Sequence, residues 1–101
     1  VSWAELEPLG PEGVLVNIAG GPVVNQLALI DCLESGQLGA AALDVFDDEP
    51  QVPEALAQSA STVLSPHIAS ATVQTRQAMA ALVVDNILRH INGKCLISPV
   101  N

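Results

Sequence analysis

Gly13-Val14-Leu15-Val16-Asn17-Ile18-Ala19 is a nearly continuous apolar run rich in β-branched residues, and Gly20-Gly21-Pro22 breaks it. Such a run predicts a strand over 14–19, buried on both faces as in a parallel sheet. Gly39 to Phe46 is a second, largely apolar run and predicts a second strand over 39–45. Thr62-Val63-Leu64-Ser65 predicts a third, short strand that stops at Pro66. Between the first two, Asn25 to Ser35 carries Leu27, Ile30 and Leu33 at helical spacing, with Gly36 placed to end the helix. Thr72 to about Asn92 predicts a long helix, because Val73, Met79, Leu82, Val83 and Ile87 recur every three or four residues before Gly93. A short helix over 2–9 is expected to start on Ser2 and stop at Gly10-Pro11. The polar loop 47–61 has room for one helical turn at 53–57, and the tail from Lys94 is expected to be extended. Strand, helix, strand, loop, strand, helix is the order of an α/β fold with parallel strands.

Composition narrows the function. Of 101 residues, three are Lys or Arg and eleven are Asp or Glu, a formal charge of −8. Almost nothing is available to neutralise phosphates, which argues against nucleic acid and against anionic membranes. Trp3 and Phe46 are the only aromatic residues, so a base-stacking surface is missing as well. No apolar run reaches the roughly 18 residues a membrane span needs. The start, Val1-Ser2-Trp3-Ala4-Glu5, has no basic region and does not read as a signal peptide. Without an initiator Met, a processed or excised piece is expected. Cys32 and Cys95 are far apart and lack metal spacing. One disulfide is a possible reading, but two reduced thiols of a cytoplasmic protein are preferred. No metal site is expected.

In parallel α/β sheets ligands bind beyond the carboxyl ends of the strands. Those places hold Gly20-Gly21, Glu49 and His67. A histidine is the side chain best suited to exchange a proton near neutral pH, and a carboxylate beside it raises its pKa and selects its tautomer. Hydride arriving at a carbonyl carbon while His delivers a proton to oxygen is the chemistry such a pair serves. Residue by residue, the plainer reading is preferred: a loop histidine and a solvated glutamate. Asp44 lies within the predicted second strand, where a carboxylate costs several kcal/mol unless it is hydrogen-bonded. It reads equally as a binding residue or as an anchor for neighbouring amides. No G-x-G-x-x-G, Walker loop, H-E-x-x-H or C-x-x-C is present.

Taken together the stretches carry more. Gly13-Val14-Leu15-Val16-Asn17-Ile18-Ala19-x-Gly21-Pro22-Val23-Val24, Leu33-Glu34-Ser35-Gly36, Leu43-Asp44-Val45-Phe46-x-x-Glu49-Pro50 and Val63-Leu64-Ser65-Pro66-His67-Ile68-Ala69-Ser70-x-Thr72 follow in this order. The chain resembles the carboxy-terminal portion of the NAD(P)-dependent D-2-hydroxyacid dehydrogenases. Glu49-Pro50-x-Val52-Pro53-Glu54 and Thr75-Arg76-x-Ala78-Met79-Ala80 resemble their hydroxypyruvate/glyoxylate (hydroxyphenylpyruvate) reductase branch.

The resemblance overturns the plainer reading. It implies the carboxy-terminal part of a Rossmann-type nucleotide-binding domain over 1–71, an interdomain helix over 72–92, and a tail over 93–101 that belongs to a substrate domain. It implies an oxidoreductase segment that transfers a hydride from NAD or NADP to a small 2-keto acid, or the reverse from a 2-hydroxy acid. His67 would donate the proton and Glu49 would pair with it. Asp44 would contact the nicotinamide carboxamide, and Ile18, Ala19 and Gly20 would line the nicotinamide end. The departures matter too. Gly20 stands where the family has an Arg that clamps the substrate, and Asn25-Gln26 replaces an acidic pair. The glycine-rich phosphate loop and most of the substrate domain have no counterpart in these residues. The chain alone is therefore expected to be inactive. The alternative is a non-catalytic nucleotide-binding or oligomerisation module. A homodimer is expected, because the apolar face of the long helix needs a partner.

Overall fold

Three strands, β1 (Val14–Asn17), β2 (Ala40–Leu43) and β3 (Thr62–Leu64), form one sheet in the order β1-β2-β3 with both pairings parallel. Val14 lies opposite Ala40, and Ala41 lies opposite Thr62. The structure, a computed structural model, describes residues 1–100; Asn101, the end of the expected tail, lies outside them. The chain divides between Ala69 and Ser70 into two compact units.

The first unit also holds α1 (Trp3–Leu6), α2 (Gln26–Glu34) and α3 (Glu54–Ala57). A 3₁₀ turn carries α1 on to Leu9 and ends at Gly10, whose φ of 74° is the left-handed conformation glycine adopts without strain. The Glu5 carboxylate accepts a hydrogen bond from the Ser2 amide at 2.7 Å, half of a capping box. Asn25 caps α2 by accepting from the Ala28 amide at 3.0 Å, and Gly36 follows its end with φ 73°.

Three expectations need correction. β1 ends at Asn17, not at Ala19, because the Asn17 side chain accepts from the Ala19 amide at 3.1 Å and donates to the Gly20 carbonyl at 2.9 Å. That Asn-centred turn diverts the backbone from the ladder. β2 ends at Leu43, so Asp44 stands at the carboxyl end of the strand and not inside it. The sheet is also not buried on both faces. Leu15, Ala41, Leu43 and Leu64 turn to one side, where they pack with Leu6, Leu29, Cys32 and Leu56. All three helices of this unit contribute to that single cluster. On the other side Val14, Val16 and Val63 are 58%, 63% and 72% exposed.

The second unit is α4 (Val73–Ile91) with the tail. Thr72 caps it by accepting from the Thr75 amide at 3.1 Å, and Gly93 ends it with φ 65°. The tail runs back along the helix: the Asn86 side chain accepts from the Ile97 amide at 2.8 Å and donates to Ser98 Oγ at 2.9 Å. Met79, Leu82, Val83 and Ile87 are exposed. No helix among the described residues is long and apolar enough to cross a membrane.

Of the apolar stripe expected along α2, Ile30 and Leu33 pack against the core and Leu27 does not. Leu27 is 71% exposed, whereas Ala28, Leu29 and Cys32 are the buried positions. Leu29→Ala should lower stability by about 2–5 kcal/mol, and Leu27→Ala should change it by less than about 0.5 kcal/mol. Urea unfolding of the two variants checks this; equal losses would place the core on the wrong face.

Candidate functional site

The carboxyl ends of all three strands carry polar groups that touch one another. Beyond β2, the Asp44 carboxylate is almost fully withdrawn from solvent. It accepts three hydrogen bonds from the segment that follows β3. Oδ1 takes the Ser65 hydroxyl and the Ile68 amide (2.9 Å), and Oδ2 takes the Ala69 amide (2.9 Å). These bonds, the Ser65 hydroxyl foremost and the two amides after it, hold the Asp44 carboxyl below the usual carboxylate range against the opposing effect of burial. An ionised carboxylate has about four acceptor positions, so one direction on Oδ2 remains for a further donor. Asp44 is therefore an anchor for amides, and the geometry leaves it able to hold a ligand donor as well.

Between Ser65 and Ile68, His67 has a φ of 54°, a left-handed backbone that a β-substituted residue seldom adopts. Its Nδ1 lies 2.7 Å from Glu49 Oε2. Glu49 Oε1 accepts from the Phe46 amide at 3.0 Å, which turns the 46–49 loop back on itself. His67 first and the Phe46 amide second keep the Glu49 carboxyl below its ordinary pKa. An ionised carboxylate can only accept, so Nδ1 carries a proton and the exchangeable position is Nε2. His67 and Glu49 share the wall of a cavity of about 170 Å³ with Phe46, Pro50, Val52 and Pro66.

Beyond β1 the chain must pass very close to β2. A Cβ at Gly21 would lie 2.1 Å from the Phe46 carbonyl oxygen, so only glycine permits this approach. Gly20 differs: its backbone is extended, and a Cβ there would meet only Val23 Cγ2 at 3.7 Å. A side chain at position 20 is therefore compatible with the backbone. Ile18 and Ala19 follow the Asn17 turn, and Ile18 is exposed.

The fold thus brings His67 to Glu49 and joins both to Asp44 through the 65–69 segment. Gly21 was expected at a strand end, and two further residues that shape the site, Asn17 and Ser65, escaped the reading of side-chain chemistry. Asn17 left a signal as the one polar residue inside an apolar run. Ser65 left none beyond its place before Pro66-His67. Cys32 and Cys95 are both free, and burial first, then Glu7 and Asp31, pushes the Cys32 thiol up, which makes it an inert core residue. Among the described residues no group of three or more His, Cys, Asp or Glu could hold a metal ion.

Comparison with known proteins places the arrangement. A family model described as D-isomer specific 2-hydroxyacid dehydrogenase, NAD binding domain, matches residues 1–69. The glyoxylate/hydroxypyruvate reductase A of Arabidopsis thaliana is 53% identical over 95 residues, 94% of this chain and 30% of that protein. The hydroxyphenylpyruvate reductase of Plectranthus scutellarioides is 50% identical over the same share of both chains. The solved NADPH-dependent glyoxylate/hydroxypyruvate reductase of Sinorhizobium meliloti, in complex with NADP and malonate, superposes with a TM-score of 0.86 at 45% identity. That match covers 99% of this chain and 31% of the other. The chain spans about 30% of the length of these two curated relatives.

The lowered carboxyl pKa values of Asp44 and Glu49 have a consequence for stability. A group whose folded pKa is depressed contributes stability above its unfolded value, about 4, and loses it as pH falls through the folded value. Stability should therefore decline below about pH 4. Asp44→Asn should be less stable at pH 7, because an amide cannot accept all three bonds, and its decline on acidification should be shallower. Urea midpoints at both pH values check this; parallel acid declines in both proteins would rule out the Asp44 contribution.

Proposed function

The chain belongs to the D-isomer specific 2-hydroxyacid dehydrogenase family, as part of its NAD-binding domain, and from that premise we propose that it is the proton-delivering segment of an NAD(P)H-dependent 2-keto acid reductase. The observation that carries the reading is the 2.7 Å contact of His67 Nδ1 with Glu49 at the strand ends, beside Asp44. Hydroxypyruvate and glyoxylate are the substrates the relatives' names suggest for the full-length protein.

When bound, the nicotinamide cofactor supplies the hydride. Asp44 keeps an acceptor direction on Oδ2 for the carboxamide nitrogen, and the backbone at Ile18 and Ala19, with Gly20 beside it, borders the same strand ends. The donor set fits the nicotinamide end. No glycine-rich loop for the phosphates occurs in these residues. Glu49 accepts from Nδ1–H and stabilises the imidazolium, so Nε2 presents the proton that goes to the keto oxygen as it gains negative charge. After transfer His67 is neutral, and Glu49 holds the tautomer that can take up the next proton at Nε2.

In this reading the helix 72–92 crosses towards a substrate domain and the tail 93–101 belongs to it. The protein is cytoplasmic and forms a homodimer in which the exposed Met79, Leu82, Val83 and Ile87 find partners. Sedimentation of the full-length protein should give twice the monomer mass; a monomer at high concentration would count against the dimer.

A second reading has one observation in its favour. Gly20 stands where the resemblance places an Arg, and Arg76 and Arg89 both lie in α4, in the other unit. A non-catalytic nucleotide-binding or oligomerisation module would need no such clamp. A carboxylate substrate gains two parallel charge-assisted bonds from a guanidinium, and without them the near-attack geometry is rarely populated. The full-length protein should therefore reduce hydroxypyruvate or glyoxylate slowly. Gly20→Arg should raise kcat/KM by about tenfold or more, which corresponds to ~1.4 kcal/mol or more, and His67→Ala on that background should remove the gain. If the unmodified protein is already fast and Gly20→Arg changes nothing, another cation holds the substrate. No turnover in either form favours the non-catalytic module.

A further inference from the structure

We infer that Ser65 is a positioning residue for His67: its hydroxyl and the Asp44 carboxylate lock the 65–69 segment in the shape that sets the imidazole against Glu49. The inference rests on the reading of His67 as the proton donor, and it concerns a residue to which that reading gives no part.

The argument begins with the backbone. A left-handed φ of 54° at His67 is disfavoured and persists only where its surroundings over-determine it. The bonds that do so lie on both sides of His67. On the amino side, the Ser65 amide donates to the Leu43 carbonyl at 2.9 Å and the Ser65 hydroxyl donates to Asp44 Oδ1. On the carboxyl side, the Ile68 amide donates to the same Oδ1 at 2.9 Å and the Ala69 amide donates to Oδ2. One oxygen atom of Asp44 therefore ties both shoulders of His67 together. A further hydrogen bond, from the His67 amide to the Ser65 carbonyl at 3.1 Å, closes the turn between them.

The side chain at Ser65 is the replaceable part of this lock. Without its hydroxyl, Asp44 still holds residues 68 and 69, but the amino side of His67 loses its tie to Asp44 and keeps the strand pairing of Ser65 and the 3.1 Å bond that closes the turn. The left-handed turn can then relax, and the imidazole moves away from Glu49. Two charged groups that act on His67 are Glu49, through direct contact, and Asp44, across the turn. A looser Glu49 pair destabilises the imidazolium, so the proton is lost at lower pH. Asp44 also retains the acceptor direction suited to a cofactor amide, so the group that fixes the turn is shared between His67 and the proposed cofactor contact.

A purely structural Ser65, present only to satisfy a buried carboxylate, would affect stability and leave the titration of His67 where it was. The test uses the full-length protein labelled with ¹⁵N-histidine, with the His67 resonance assigned by its loss in His67→Gln. In Ser65→Ala the His67 resonance should titrate at lower pH than in the unmodified protein, because the Glu49 carboxylate no longer faces Nδ1 as closely. The high-pH limb of kcat/KM should move the same way, with kcat down about tenfold or more and KM for the keto acid changed less than about threefold. Ser65→Thr keeps the hydroxyl and should restore both. If Ser65→Ala does not fold, Ser65→Cys, whose thiol is a weak donor, is compared with Ser65→Thr instead. An unchanged His67 titration in the hydroxyl-less variant overturns the inference. If His67→Gln retains full turnover, the proton-donor reading fails, while the titration still decides the part played by Ser65.

Discussion

A carboxylate withdrawn from water at the end of β2 must find hydrogen-bond donors, and Asp44 finds them in the segment that follows β3. The alternative, a buried charge without partners, costs several kcal/mol. The three donors lie 21, 24 and 25 residues along the chain. Meeting that requirement dictates much of the neighbourhood. It calls for a hydroxyl at position 65 and two consecutive amides at 68 and 69, and it constrains the turn in which His67 takes the left-handed conformation. The parallel pairing of Leu43 with Leu64 brings the two segments within reach.

Glu49 solves the same problem on a smaller scale. One of its oxygens closes its own loop through the Phe46 amide, and the other takes Nδ1 of His67. The Phe46 carbonyl in turn leaves no space for a Cβ at Gly21. Each strand end is thereby held by a contact to the next: β1 to β2 through Gly21 and Phe46, and β2 to β3 through Asp44 and Ser65. The position of the histidine depends on this chain of contacts, in which the Ser65 hydroxyl is one link.

The sequence made the architecture legible because its signals were local and repeated. Two apolar runs, a helix between them, and helix ends at Gly36 and Gly93 all agree with parallel α/β order, and the structure has it. Strand limits were less legible, because Asn17 ends β1 through its own side chain, and a lone polar residue in an apolar run does not say which way its side chain bonds. The burial of β1 was misread for a different reason. An apolar run shows that both faces suit a covered environment, but not which residues cover them, and the helices of the first unit cover one. Along α2 helical spacing picks out Ile30 and Leu33, which pack against the core, but it also takes in Leu27, whose place in the first turn leaves it exposed. At the site, the ordered blocks pointed to His67, Glu49 and Asp44. The role of Ser65 depends on where its hydroxyl points, and only coordinates carry that.

Charge separates what this unit can do from what it cannot. All three Lys and Arg residues, Arg76, Arg89 and Lys94, follow Ala69, so the unit that holds the site contains none. Apart from the chain's amino terminus, His67 is the one side chain there able to become cationic near neutral pH, and Glu49 is placed to favour that state. A keto acid and a dinucleotide are both anions, and an acidic unit repels them at long range. On the proposed reading, proton delivery and anion recognition are therefore divided. The first is built into the strand ends by hydrogen bonds that ignore the substrate's charge, and the second has to be supplied by groups outside residues 1–69. An Arg at position 20 would have joined the two functions at one strand end. With glycine there, the backbone keeps room for a side chain, and His67 and Glu49 are held against each other whether or not a cation is present to bring an anion to them.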